Sequence, residues 1–244
     1  MSRNSVWAMV FAAALTLTGT AVVTADAAPP LARARVGGGM GLALPWGAPL
    51  TERTILHVCT LTAIGYDAAD NLVGLTNAHC EYDGDRQWPG DPVLLASEAF
   101  APGTTVHDVR PLGRIAYISG GNPVVPGPNG PGLDYAVILF DKTQVEPVAT
   151  VGDTTIRALG APPPNGTPVC KQGVTSARTC GITLASTGPY LLSTVPEYPG
   201  DSGSPVVMGD TLIGNQWSWG AGTSITAILA DLDRRGGIGA GFHL

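Results

Sequence analysis

From Thr54 onward, short apolar or β-branched runs alternate with turn residues. The first half carries TILHVCTLTAIGY, LVGLTNA, PVLLAS, TTVHDVRPLGRIAYI and DYAVILF; the second carries TPVCKQG, TCGITLAST, YLLSTV and SPVVMGDTLIGNQWSW. Runs of this length at this spacing predict an antiparallel β barrel or sandwich. Met208-Gly209-Asp210-Thr211 predicts a tight hairpin, because Gly-Asp accepts the positive φ such turns need. One segment has helical periodicity. Ile225, Ile228, Leu229 and Leu232 follow i, i+3, i+4, i+7 spacing, with Ser224 placed to cap the start and Gly236 after the last turn. Two stretches break the rhythm: SGGNPVVPGPNGPG (Ser119 to Gly132) predicts a surface loop, and LGAPPPNG (Leu159 to Gly166) an extended connector between two halves.

The start of the chain has a different pattern. Arg3, the mostly apolar run Val6 to Val23 and the small-residue site Ala25-Asp26-Ala27 predict a secretory signal peptide over 1–27, cleaved after Ala27. Residues 28–50 are rich in Ala, Pro and Gly, include VGGGMG, and read as a flexible leader or short propeptide. The remaining residues, 51–244, are expected to form the folded domain.

Composition narrows the partners. A formal charge of −6, with only Arg33/Arg35 and Arg234/Arg235 as close basic pairs, excludes a nucleic-acid or anionic-membrane surface. The four cysteines, Cys59, Cys80, Cys170 and Cys180, form an even set suited to an exported chain. Two disulfides are expected, nearest neighbours being the simplest of three pairings. No Cys-x-x-Cys or His-x-x-x-His spacing suggests a metal site, and no cofactor is expected.

Serine-dependent amide hydrolysis needs a nucleophile, a base, a carboxylate to orient that base, and N–H donors for the developing oxyanion. His79 in LTNAHC follows a strand-like run and adjoins Cys80, whereas His57, His107 and His243 have no comparable setting. Asp134 in GLDYAVILF stands at the mouth of an apolar strand, where a carboxylate is costly unless hydrogen-bonded. Ser202 lies in PGDSGSP, where Gly200 leaves space and its N–H, with that of Ser202, can face a substrate carbonyl. Taken singly, these are a structural histidine, a strand-edge turn residue and a tight turn.

Together and in this order, TNAHC, DYAVI and GDSGSP resemble the chymotrypsin-like serine peptidases. VCKQGVTSARTCGIT is similar to the bacterial streptogrisin and α-lytic branch, where two cysteines flank a Gly- and Thr-rich loop. The resemblance implies an all-β fold of two antiparallel six-stranded β-barrels, at about 51–150 and 165–244, with a short C-terminal helix. It makes His79 the general base, Asp134 the orienting carboxylate and Ser202 the nucleophile, with Gly200 and Ser202 as the oxyanion hole. Ser218, Trp219 and Gly220 would wall the specificity pocket, with Ser218 also bonding the aspartate. Cys59–Cys80 would fix the histidine loop. Asp201 would need a cation: Lys171, or the amino group of Val36 freed by a cut after Arg35. The loop around Lys171 favours the first.

Three features depart from the family pattern. Ser204 replaces a usual glycine, no cysteine precedes the Gly-Asp-Ser-Gly cluster, and Pro196 and Glu197 stand where the pocket floor begins. Glu197 is read as a solvated charge in preference to a receptor for a basic substrate side chain. The implied protein is a secreted monomeric serine endopeptidase acting on a protein or peptide substrate, without nucleic acid or stable membrane association. An inactive binding protein of this fold, or a serine esterase with the same site, is the alternative.

Overall fold

Two curled β-sheets form in the computed structural model, which describes residues 32–244; the expected signal peptide lies outside the described residues. The first sheet has the order His57–Thr60, Gly41–Leu44, Pro92–Leu95, Gly113–Ile118, Ala136–Phe140, Leu72–Thr76, Ala63–Tyr66. Its two end strands are consecutive in the chain, and the run changes partner between them. Leu61 N–H donates to Met40 O at 2.8 Å and Thr62 N–H to Leu75 O at 2.7 Å. One continuous run therefore serves both edges, and Leu42, Leu61, Leu72, Ile115 and Ile138 are buried in the core of this half.

The second sheet is ordered Ala158–Leu159, Thr211–Ser218, Pro205–Met208, Pro168–Gly173, Ala177–Thr187, Tyr190–Ser193, Ala221–Ser224. Thr211–Ser218 also pairs with Ala221–Ser224, which closes a six-stranded barrel around Val169, Leu191, Val206 and Ile213. The two-residue hairpin forms as expected, with Met208 opposite Thr211 and Gly209 at φ 63°. The helix spans Ile225–Arg235: Ser224 Oγ accepts from Ala227 N–H, and Gly236 ends it at φ 73°. Its buried face, Ile225, Ile228 and Leu232, joins Ala63, Leu75 and Val137 of the first sheet and Val207 and Leu212 of the second. Beyond the helix the chain returns to the first sheet, where Tyr66 and His243 exchange both backbone hydrogen bonds at 2.8 Å.

The flexible-leader expectation for 28–50 is corrected from Ala34 onward. Ala34–Val36 runs parallel to Val145–Pro147, and Gly41–Leu44 is an interior strand with all four residues buried. The glycines between them permit close approach: a Cβ on Gly38 would sit 2.5 Å from Thr62 O. Low side-chain content here marks tight packing, not looseness.

Glu81, two residues after His79, is fully buried, and neither carboxyl oxygen has a hydrogen-bond partner among the described residues. Burial, reinforced by the Asp91 charge, pushes its pKa up from an ordinary 4.5 to about 9. A raised carboxyl pKa contributes stability that is intact below about 4.5 and is lost as pH rises toward about 9. Glu81→Gln should therefore match the parent in Tm at pH 4 and exceed it by at least about 3 °C at pH 8. Identical melting curves at both pH values would contradict this account.

Candidate active site

His79 sits in a one-turn 3-10 helix, Ala78–Glu81, which follows the strand Leu72–Thr76. The Cys59–Cys80 disulfide ties this turn to the neighbouring strand, and Trp46 Nε1–H donates to Cys80 O at 2.6 Å. The second expected pair, Cys170–Cys180, joins adjacent strands of the second barrel. Both nearest-neighbour pairings are present.

Asp134 is fully buried and lies two residues before the strand Ala136–Phe140. Its φ of 48° is in the left-handed region, which aspartate tolerates better than most residues but which still costs free energy. That turn brings its carboxylate to three donors. Oδ1 accepts His79 N–H at 2.9 Å; Oδ2 lies 2.8 Å from His79 Nδ1 and accepts Asn122 Nδ2–H at 2.7 Å. Its backbone carbonyl accepts from Asn77 Nδ2 and Asn215 Nδ2. Burial alone would lower the His79 pKa, but the Asp134 charge and hydrogen bond, with the Glu197 charge, outweigh it and leave the imidazole raised. With Nδ1 held by Asp134, Nε2 is the ring nitrogen left for proton transfer.

On the facing loop, Gly200 has φ 98° and Gly203 φ 89°, backbone that an L side chain rarely adopts. A Cβ on Gly203 would also come within 2.1 Å of Thr60 O. The N–H groups of Gly200 and Ser202 donate to no other atom among the described residues. Thr60 N–H donates to Ser202 O at 2.7 Å, and Thr60 Oγ1 to Gly200 O at 2.8 Å, which pins this loop to the first barrel. Ser204, the departure from glycine, is buried and its hydroxyl donates to Asp201 O. The added polar atom is thereby satisfied.

Asp201 and Lys171 form an ion pair with no exposed side-chain surface, Nζ to Oδ2 at 2.8 Å. Lys171 Nζ also bonds Ser176 Oγ at 2.6 Å, while Asp201 accepts from the N–H groups of Thr175, Ser176 and Tyr198. Burial would raise the Asp201 carboxyl, but the Lys171 and Ser176 hydrogen bonds outweigh it and hold it below the usual carboxylate range. The cation paired with Asp201 is thus Lys171, while Val36 is buried at the end of the strand Ala34–Val36, which pairs with Val145–Pro147.

Two expectations need correction. Ser218 is exposed and makes no hydrogen bond to Asp134; the pairing register slips between Gln216 and Ser218, a bulge that turns the side chain outward. Asn122, from the Gly/Pro-rich loop, supplies that bond instead. Glu197 is not solvated: it is 8% exposed and accepts from Ser202 Oγ–H at 3.2 Å. Trp219 is 70% exposed and tilted against Tyr198, with ring centroids 6.3 Å apart. Gly220 uses its N–H on Val195 O and its carbonyl on Ser193 N–H. Asn122 and Asn215 carried no sequence signal, because isolated Asn in loops and strands is common and their partner Asp134 is reached only through the fold. Asn77 and Ser176 lie within TNAHC and VCKQGVTSARTCGIT, but those motifs do not by themselves assign their side chains a bond.

Solved structures share this architecture. The Nocardiopsis protease NAPase matches with TM-score 0.56 at 17% identity, over 81% of this chain and 96% of its own. Thermobifida fusca protease A matches with TM-score 0.52 at 16% identity, over 83% and 96%. A glutamic-acid-specific serine protease described as using a histidine triad in substrate binding matches with TM-score 0.53 at 16% identity, over 80% and 97%. No protein-family model and no curated protein sequence matches the chain. At these identities the likeness establishes the architecture: the chain has the chymotrypsin-like two-barrel fold.

Proposed function

We propose that the protein is a secreted serine endopeptidase. The observation that carries this reading is the contact of His79 Nδ1 with the fully buried Asp134 carboxylate at 2.8 Å, beside a loop presenting Ser202 and two uncommitted N–H groups. The shared fold with bacterial serine proteases raises its weight. So does the positive φ of Asp134, since retained backbone strain clusters at functional sites.

In this reading Ser202 Oγ attacks the scissile carbonyl carbon while its proton passes to His79 Nε2. The carbonyl oxygen, now negative, is held by the N–H groups of Gly200 and Ser202. His79 then donates the proton to the departing amine as the C–N bond breaks, leaving an ester on Ser202. Water attacks this ester by the same route, returning Ser202 and releasing the carboxylic acid. Asp134 keeps the Nδ1 proton in place and stabilises the imidazolium. Lys171 and Asp201 hold the loop between Gly200 and Ser202 in shape, while Trp219 and Gly220 border the substrate. The two disulfides suit export behind the expected signal peptide.

The test is labelling of the purified mature protein with a fluorophosphonate, with Ser202→Ala as control, followed by peptide-library profiling. Labelling that vanishes in the control, together with peptide cleavage, is expected. No labelling of the folded protein would reject the hydrolase reading, and labelling without cleavage of any peptide would redirect it to esters.

A further inference from the structure

The hydroxyl of Ser202 has one proton to donate, and in this structure it goes to Glu197. No hydrogen bond joins Ser202 to His79 among the described residues, although the base is correctly held from its other side. The acceptor is unusual in its own right. Glu197 is nearly buried, and no lysine or arginine forms an ion pair with it among the described residues. Lys171, whose charge it feels, is already committed to Asp201 and Ser176. A buried carboxylate without a cation is costly, and it remains so until one arrives.

The surroundings indicate what would arrive. Glu197, Tyr198, Pro199 and Trp219 line a pocket of about 260 Å³ that opens to solvent beside the nucleophile. Its upper part is aromatic and exposed, its inner part a carboxylate. That combination receives the apolar stem and charged head of a lysine or arginine: the rings cover the methylenes and attract the cation, and the carboxylate takes the N–H donors.

We propose that Glu197 is the specificity-determining residue of this site, holding the Ser202 hydroxyl in the empty cleft and releasing it to His79 when a cationic substrate side chain takes its place. The inference rests on the hydrolase reading and adds a substrate class to it. Selection and activation become one event: the side chain that fits is also the one that frees the nucleophile. An uncharged substrate leaves Glu197 where it is and meets a serine whose proton points away from its base.

The arrangement also links Glu197 to the base. Glu197 faces His79, Ser202, Asp201 and Lys171; its negative charge helps to raise the His79 pKa, while burial, the largest influence on Glu197 itself, raises its own. Removing that charge lowers the His79 pKa, so the acid limb of the rate profile moves to lower pH.

The experiment compares the parent, Glu197→Gln and Glu197→Ala on peptides identical except for Lys, Arg or norleucine before the scissile bond. Labelling by an uncharged fluorophosphonate is followed in parallel. The parent should prefer lysine or arginine over norleucine by about 100-fold in kcat/KM, and both variants should lose most of that preference. Glu197→Ala should label about 10-fold faster than the parent, because Ser202 is no longer held. The near-isosteric Glu197→Gln, which preserves packing, should move the acid limb for the norleucine peptide to lower pH. A parent that favours norleucine, a cationic preference surviving in both variants, or equal labelling rates would overturn the proposal. Absence of Ser202-dependent labelling in parent and variants alike would overturn the hydrolase reading, and this inference with it.

Discussion

Replacing Asp134 with asparagine is expected to lower turnover about 10⁴-fold while the protein still folds. The reason is a count of donors. The carboxylate accepts three hydrogen bonds, from His79 N–H on one oxygen and from His79 Nδ1–H and Asn122 Nδ2–H on the other. An amide has one oxygen to offer and puts two hydrogens where the second oxygen stood. If its NH₂ faces Nδ1, the imidazole takes the other tautomer, with its proton on Nε2, and cannot accept the proton of Ser202. If its NH₂ faces His79 N–H instead, two donors oppose each other and the turn holding the base is displaced. The variant also lacks the charge that raises the His79 pKa. Steady-state kinetics on a peptide chosen by library profiling, beside a thermal melt, would check this. A loss below about 10-fold in a folded variant would remove Asp134 from the mechanism.

The second large effect is expected from Lys171→Met. Methionine fills much of the space of the lysine stem, but Asp201 is left as a buried carboxylate without its cation. Breaking one side of a buried pair costs about 3–5 kcal/mol. At about 2–4 °C per kcal/mol for a domain of this size, Tm should fall by about 6–20 °C. Because the depressed Asp201 pKa contributes stability that is present at neutral pH and lost as pH falls through it, the gap between parent and variant should narrow in acid. Activity should fall beyond what instability explains, since Tyr198 N–H and Asp201 set the shape of the loop carrying Gly200 and Ser202. A double-mutant cycle with Asp201→Asn gives the coupling directly. Near-additive losses would mean that the pair does not act as a unit.

What the chain disclosed in advance follows from how local each signal is. The helix with its Ser224 cap and Gly236 stop, and the Gly209-Asp210 hairpin, depend on neighbours in sequence and are legible there. The contact between His79 and Asp134 spans 55 positions, yet it can be read, because two short motifs and their order carry it. Asn122 has no such motif. It lies in a Gly- and Pro-rich loop, and only the fold brings its amide to Asp134. Ser218 fails for a different reason: a single bulge reverses which side of the strand a residue faces, and SWG does not encode the bulge. Glu197 is misjudged because charge predicts exposure on average, and this carboxylate is buried against the nucleophile. VGGGMG suggests slack chain, whereas its glycines are what let the strands around it close.

The return of the chain from the second barrel to the first, where His243 pairs with Tyr66, bears on how long such a protein would last. A folded chain is cleaved by proteases through segments that open, not through those that stay shut. The strand Ala63–Tyr66 ends one sheet and would otherwise offer a free edge; the returning segment occupies its end. To expose that edge, the segment after the helix must first be peeled away from Tyr66. The clasp thus guards that edge against proteolysis and against pairing with a second copy, through a segment that lies at the far end of the chain from the strand it covers.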